Sequence, residues 1–140
     1  MPAFTFTTPV RFSDVDHAGI VYYPQFFHFF HLAFEELWRA RMGPHAYRDL
    51  LDRERVGFPA VHANCDFHAP LRFGDSAKID VAISRMGAKS ITFRYIVSNA
   101  ESGERCAEGH ITCAVVDLAR FVAIAIPEHV AELLRDLVET

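Results

Sequence analysis

Residues 24–42 read PQFFHFFHLAFEELWRARM. Pro24 suits the first turn of a helix, where the N–H that proline lacks would have no internal partner. No breaker follows until Gly43-Pro44, which is a stop signal. At 1.5 Å per residue this helix is about 28 Å long. Phe26, Phe27, Phe29, Phe30, Ala33, Phe34, Leu37 and Trp38 cover much of its circumference. A surface helix carries one apolar stripe, whereas a helix apolar on several sides must be largely enclosed. The rest of the chain therefore has to wrap around it.

The segments that follow can do so. Residues 45–55 read as a short helix or an irregular connection, after which the hydrophobic period changes to two. Ala60 to His68 alternates through Val61, Ala63, Cys65 and Phe67. Ala77 to Arg85 alternates through Ile79, Val81 and Ile83, and Ser90 to Ser98 through Ile91, Phe93, Tyr95 and Val97. The turn signal Glu-Ser-Gly-Glu at 101–104 leads into a strand over Arg105 to Asp117, and Phe121 to Ile126 reads as the last strand. Upstream, Phe4 to Phe12 has strand-like alternation interrupted by Pro9. Pro127 opens a short C-terminal helix carrying Val130, Leu133, Leu134 and Leu137. One long early helix followed by a run of strands is an α+β pattern. An antiparallel sheet of about five strands, curled by its twist, can enclose one such helix.

With 140 residues, one domain spanning 1–140 is expected. The net charge of −4 gives no reason to expect a nucleic-acid or membrane-surface partner. The start, MPAFTFTTPVRF, lacks the basic-then-apolar order of a signal peptide. Cys65, Cys106 and Cys113 have no metal-ligand spacing, so a reducing cytoplasm and packing thiols are expected.

Chemistry-bearing residues cluster just before the long helix, in SDVDHAGIVYYP at 13–24. A helix N-terminus presents unpaired N–H groups and partial positive charge, so the amides near Tyr22 and Tyr23 can polarise a carbonyl. Gly19 lets the loop backbone approach a ligand. Asp16, just upstream, can attack that carbonyl or activate a water beside it. On spacing alone, Asp14 and Asp16 serve equally as turn or helix caps. The segment Arg85-Met86-Gly87-Ala88-Lys89-Ser90 offers two cations, a glycine and a hydroxyl for phosphate. It is not a P-loop, since the first glycine is missing and a strand follows.

Asp14, Asp16, Gly19, Val21 and Tyr23 together resemble the Asp-x-Asp-x-x-Gly-x-Val-x-Tyr signature of the 4-hydroxybenzoyl-CoA thioesterase group. Ala69, Pro70, Gly74 and Asp75, then Arg85, Gly87, Ser90 and Phe93, match two further motifs of that group in register. The resemblance implies a hotdog fold and hydrolysis of an aromatic or short- to medium-chain acyl-CoA. It implies Asp16 as nucleophile or general base, the Tyr23 backbone amide as carbonyl-polarising donor and Gly19 as part of the supporting loop. It further implies Arg85, Lys89 and Ser90 as coenzyme A phosphate contacts. His31 stands where the group tends to have an acidic residue, and His17 where proline is common; both are taken as substrate-side residues. The CoA thioester is substrate, and no cofactor is expected. A homodimer with a continuous sheet is implied, assembling further to a homotetramer, with the second copy lining the site.

Eight histidines raise the question of metal. His28, His31 and Glu35 share a helix face, and His62, Asn64, Asp66 and His68 share a strand face, but neither set has a metal motif's full spacing, so no metal is expected. Two other functions remain open: a hotdog-type dehydratase or hydratase with His17 as base, and a non-catalytic acyl-CoA-binding protein.

Overall fold

The computed structural model describes residues 3–139. Strand β1 (Phe4–Pro9) is followed by the long helix α1 (Gln25–Met42), the short helix α2 (Ala46–Asp52) and strand β2 (Val56–Gly57). Strands β3 (Ala60–Phe67), β4 (Ser76–Met86), β5 (Ser90–Asn99), β6 (Arg105–Ala114), β7 (Val116–Asp117) and β8 (Val122–Ala123) come next, then helix α3 (Glu128–Leu134). The main sheet is antiparallel in the order β1-β4-β5-β6-β3.

Helix α1 lies against the inner face of this sheet. Phe30 stacks on Tyr95 with ring centroids 4.8 Å apart, and Phe34 meets Phe93 edge-on at 5.3 Å. Phe26, Phe29, Phe30, Ala33, Phe34, Leu37 and Trp38 are all buried, as the circumferential apolar pattern requires. Inward-facing Ile79, Val81, Ile83, Ile91, Phe93, Tyr95 and Val97 form the other half of the core. Pro24 occupies the cap position immediately before the helix. Gly43, at φ 104°, ends it in a conformation that side chains resist, and its N–H donates to the Arg39 carbonyl at 3.0 Å. This is the α+β hotdog arrangement of one helix wrapped by a curled sheet.

Two expectations about strands need correction. The strand expected over Arg105–Asp117 is interrupted at Val115, whose N–H donates to the Lys89 carbonyl at 2.9 Å. The chain then leaves the main sheet, and β7 pairs with β2 and β8 in a separate three-stranded sheet. The strand expected over Phe121–Ile126 shrinks to Val122–Ala123. Phe121 takes a left-handed φ of 54° to close the β7–β8 turn, and Pro127 ends any continuation. Local apolar alternation does not reveal such a switch of partner.

Strand β3 is an edge, paired only with β6. Seven of its eight residues are exposed, including Val61 at 65% and Phe67 at 49%. An open apolar edge of this length is a template for another strand.

Candidate active site

The loop ahead of α1 gives its two aspartates different surroundings. Phe12–Asp14 forms one turn of 3-10 helix, and Asp14 is buried. Its Oδ2 accepts the Arg11 N–H at 2.8 Å and its Oδ1 accepts from Gln25 Nε2 at 2.9 Å. Its carbonyl accepts the Tyr22 N–H at 3.0 Å. This carboxylate ties the loop to the first residue of α1. Asp16 is exposed. Its N–H donates to the Ile20 carbonyl at 3.0 Å and its carbonyl accepts the Gly19 N–H at 2.9 Å. Oδ1 accepts the Ala18 N–H at 2.8 Å, while Oδ2 has no partner among the described residues. The turn is closed by pairing of Val15 with Val21, and Gly19 adopts φ 83° within it. His17 is exposed in the same turn.

At the start of α1 the backbone groups around Tyr23 are already engaged. The Tyr22 N–H is held by Asp14, Gln25 N–H donates to the Tyr22 carbonyl at 2.8 Å, and Phe26 N–H to the Tyr23 carbonyl at 3.3 Å. Pro24 has no N–H to offer. The Tyr23 N–H has no acceptor among the described residues. It lies at the positive end of an 18-residue helix. A cleft of about 370 Å³ opens here, lined by Ile20, Val21, Tyr23, Phe26, Phe67 and His68 among others. Tyr23 and Phe26 meet Phe67 edge-on, with centroids 6.3 and 5.5 Å apart. Phe67 and His68, at the end of β3, line the cleft of their own chain. Sequence periodicity could not assign them, because it does not say which end of a strand meets which end of a helix.

A second cavity, of about 490 Å³, lies further along α1, between the helix and β3, β5 and β6. Phe27, Phe30, Phe34, Tyr47, Phe58 and Tyr95 form much of its wall. His31 borders it, eight residues beyond Tyr23, with its Nε2 2.6 Å from Glu35 Oε2. Both cavities lie between α1 and the exposed edge β3.

The remaining candidates are not gathered in the same place. Arg85, Lys89 and Ser90 lie at the β4–β5 turn, where Gly87 N–H donates to the Ser90 carbonyl at 2.8 Å. Ser90 pairs with Ala114 at one end of the sheet, whereas Phe67, beside the Tyr23 cleft, pairs with Ala107 at the other. Seven residues of β6 separate the two positions, about 23 Å at the strand rise. Within one chain, the phosphate candidates and the Asp16 loop occupy opposite ends. Burial pushes the Cys113 thiol up to about 11, and burial together with the neighbouring Asp66 does the same for Cys65. Burial also raises Cys106. Such thiols are poor nucleophiles at neutral pH.

Residues 10–134 match the family model described as the thioesterase-like superfamily. A 1,4-dihydroxy-2-naphthoyl-CoA hydrolase from Synechocystis sp. is 31% identical over 129 residues, covering 91% of this chain and 86% of that protein. The acyl-CoA thioester hydrolase YbgC of Escherichia coli O6:H1 is 28% identical over 127 residues, covering 89% of this chain and 92% of that one. The crystal structure of a 1,4-dihydroxy-2-naphthoyl-CoA thioesterase from Synechocystis superposes with a TM-score of 0.87 at 26% identity, covering 97% of this chain and 98% of that chain. On the match to the family model over most of its length, the chain belongs to the thioesterase-like superfamily of hotdog-fold enzymes.

Proposed function

We propose that this chain hydrolyses an aromatic or short- to medium-chain acyl-CoA to the free acid and CoA, using the Asp16 carboxylate and the Tyr23 backbone amide. Acyl-CoA thioester hydrolysis as the class of activity follows from the family and from the matched relatives. The acyl group and the residue roles are our own reading. The observation that carries it is the Tyr23 N–H, without an acceptor among the described residues, at a helix N-terminus beside a cleft while the neighbouring amides are bonded. A thioester carbonyl bound there would receive a hydrogen bond that strengthens as negative charge develops on its oxygen. Asp16 can act in either of two ways. Its free Oδ2 can add to the carbonyl carbon, expelling the CoA thiolate and leaving an anhydride that water then opens. It can instead take a proton from an attacking water. In both routes the leaving sulfur departs as thiolate or, once protonated, as thiol.

The exposed edge β3 supports a homodimer. Two copies pairing β3 antiparallel about a two-fold axis would set the Ala60 end of one beside the Phe67 end of the other. The β4–β5 turn lies at the Ala60 end, since Ala60 and Ile91 both pair with Cys113. The second copy's turn, with its arginine, lysine and serine, would then reach the same end as this chain's cleft. That arrangement reconciles the distance within one chain with a shared CoA-binding role. Further association to a tetramer is part of the same proposal.

The test is thiol release from benzoyl-CoA and hexanoyl-CoA, followed with DTNB. Wild type should release thiol from at least one, and Asp16→Asn should be slower by about a hundredfold or more. No release across a broad acyl-CoA panel would overturn the hydrolase reading. Full activity in Asp16→Asn would overturn the role of the carboxylate alone.

A further inference from the structure

Two tetrapeptides of this chain are nearly the same: Arg11-Phe12-Ser13-Asp14 and Arg72-Phe73-Gly74-Asp75. Both fold into a turn with the same bonds. In the first, the Arg11 N–H donates to Asp14 Oδ2 at 2.8 Å and the Asp14 N–H to the Arg11 carbonyl at 2.9 Å. In the second, the Arg72 N–H donates to Asp75 Oδ2 at 2.9 Å and the Asp75 N–H to the Arg72 carbonyl at 3.0 Å. In each, an aspartate side chain reaches back to the backbone three residues earlier, as the third residue of a capping box does. The two turns stand side by side. Gly74 N–H donates to the Val10 carbonyl at 3.3 Å, and Val10 N–H to the Asp75 carbonyl at 2.8 Å. Phe12 and Phe73 meet edge-on at 6.0 Å, although they are 79% and 61% exposed. Rings this exposed gain little from burial, so the effect of their contact is to join the two turn tips.

The second turn also grips the loop that carries Asp16. Arg72 bridges to Ile20, and the Val21 N–H donates to the Leu71 carbonyl at 2.8 Å. The Ile20 carbonyl in turn accepts the Asp16 N–H, and the Asp14 carbonyl of the first turn accepts the Tyr22 N–H, both at 3.0 Å. Residues 16–23 are therefore held by both turns: 71–72 bind the middle of the segment, and Asp14 binds the residue before Tyr23. We infer that Asp75 and Phe73 are positioning residues: by shaping and docking the second turn they fix the spacing between the Asp16 carboxylate and the Tyr23 amide. The inference rests on the reading of those two groups as the reacting ones. Among the described residues, the Tyr23 cleft is lined without Asp75 or Phe73, so each acts through the Arg72–Ile20 pairing. A shift of 1 Å between reacting groups can cost about a hundredfold in rate, so support of this kind bears on turnover more than on substrate binding.

The experiment has an exchange arm, free of substrate, and a turnover arm. In the first, amide hydrogen exchange over residues 16–23 is compared in wild type, Asp75→Ala, Asp75→Asn and Phe73→Ser. In the second, kcat and KM are measured on the thioester that wild type hydrolyses, at a temperature where every variant is folded. Asp75→Ala should speed exchange in 16–23 by about tenfold or more and leave α1 and the central strands unchanged. Its kcat should fall about tenfold while KM changes less than threefold. Asp75→Asn keeps an oxygen that accepts the Arg72 N–H, so it should return both readouts to within about twofold of wild type. Phe73→Ser should move them in the same direction as Asp75→Ala by a smaller factor. It breaks only a contact between exposed rings, so it carries the test if Asp75→Ala does not fold. In an Asp16→Asn background, Asp75→Ala should lower the residual rate less than twofold, because a residue acting through Asp16 has nothing left to position. The inference is overturned if exchange over 16–23 is unchanged, if melting falls but the folded variants keep wild-type kcat, or if KM rises at constant kcat. An equal loss in the Asp16→Asn background also overturns it. Undiminished turnover in Asp16→Asn alone would instead overturn the reading of the reacting carboxylate, with the exchange arm still showing whether the turn holds the loop.

Discussion

Asp14 and Asp16 have the same side chain and opposite surroundings, one buried and one exposed. Asp14 accepts two hydrogen bonds out of water, from the Arg11 N–H and the Gln25 side chain. Removing it leaves both donors unpaired. Asp14→Ala should therefore lower stability by about 1–3 kcal/mol, read from the urea midpoint at constant m-value. Asp16 is exposed and, among the described residues, bonded at one side-chain oxygen, so Asp16→Asn should leave that midpoint in place while reducing kcat. Gly19 lies between these effects. Its φ of 83° is costly for any residue with a Cβ, although nothing stands within 4 Å of the space a Cβ would fill. Gly19→Ala should thus destabilise the turn by about 1 kcal/mol through backbone strain rather than collision. A loss of activity larger than its loss of stability would locate its importance in the loop shape.

At the scale of elements, α1 and β6 are fitted at one point. A Cβ on Gly109 would meet Phe30 Cε2 at 2.4 Å and the Asn64 carbonyl oxygen at 2.8 Å. The carbonyl belongs to the neighbouring strand and the Phe30 ring is pinned by Tyr95, so neither moves away cheaply. Gly109→Ala should cost about 1–3 kcal/mol in chemical denaturation, as overpacking does. A neutral result would mean that the helix can lift off the sheet. The long helix was legible because its aromatic residues recur without a breaker between Pro24 and Gly43. The two-residue strands β7 and β8 were not, since they are defined by pairing and too short to carry a period.

On the scale of the whole molecule, charge and edge pairing matter most. Arg94 on β5 bonds Glu108 on β6 at 3.0 Å and approaches Glu139 near the C-terminus at 3.4 Å. The Arg94 hydrogen bond holds the Glu108 carboxyl below its ordinary value. A carboxyl depressed on folding stabilises the fold above its unfolded pKa, and that contribution disappears as pH falls through the folded value. Arg94→Met should therefore narrow the stability difference between pH 7 and pH 3, measured by thermal unfolding across that range. An unchanged acid limb would show that the pair is screened to insignificance. Edge strand β3 should hold two copies together, so Val61→Lys should convert a dimer into a monomer in light scattering and suppress thioester hydrolysis with it. A monomeric wild type would end that view.

The sequence by itself determined that one buried aromatic helix must be wrapped by alternating strands, and that a carboxylate and a helix N-terminus stand side by side. Both follow from local facts: apolar periodicity, the stops at Pro24 and Gly43, and residues only a few positions apart in the chain. Only the tertiary structure decided which aspartate is buried and which amide is free. It also showed that Phe67 and His68 belong to the cleft while Arg85, Lys89 and Ser90 lie at the far end of the sheet. These depend on strand register and on the direction in which α1 crosses the sheet, contacts between residues dozens of positions apart that no local pattern encodes. The convergence of Tyr47, Tyr95 and Cys113 on one cavity is of the same kind: α2, β5 and β6 each contribute one residue, and only folding brings them together.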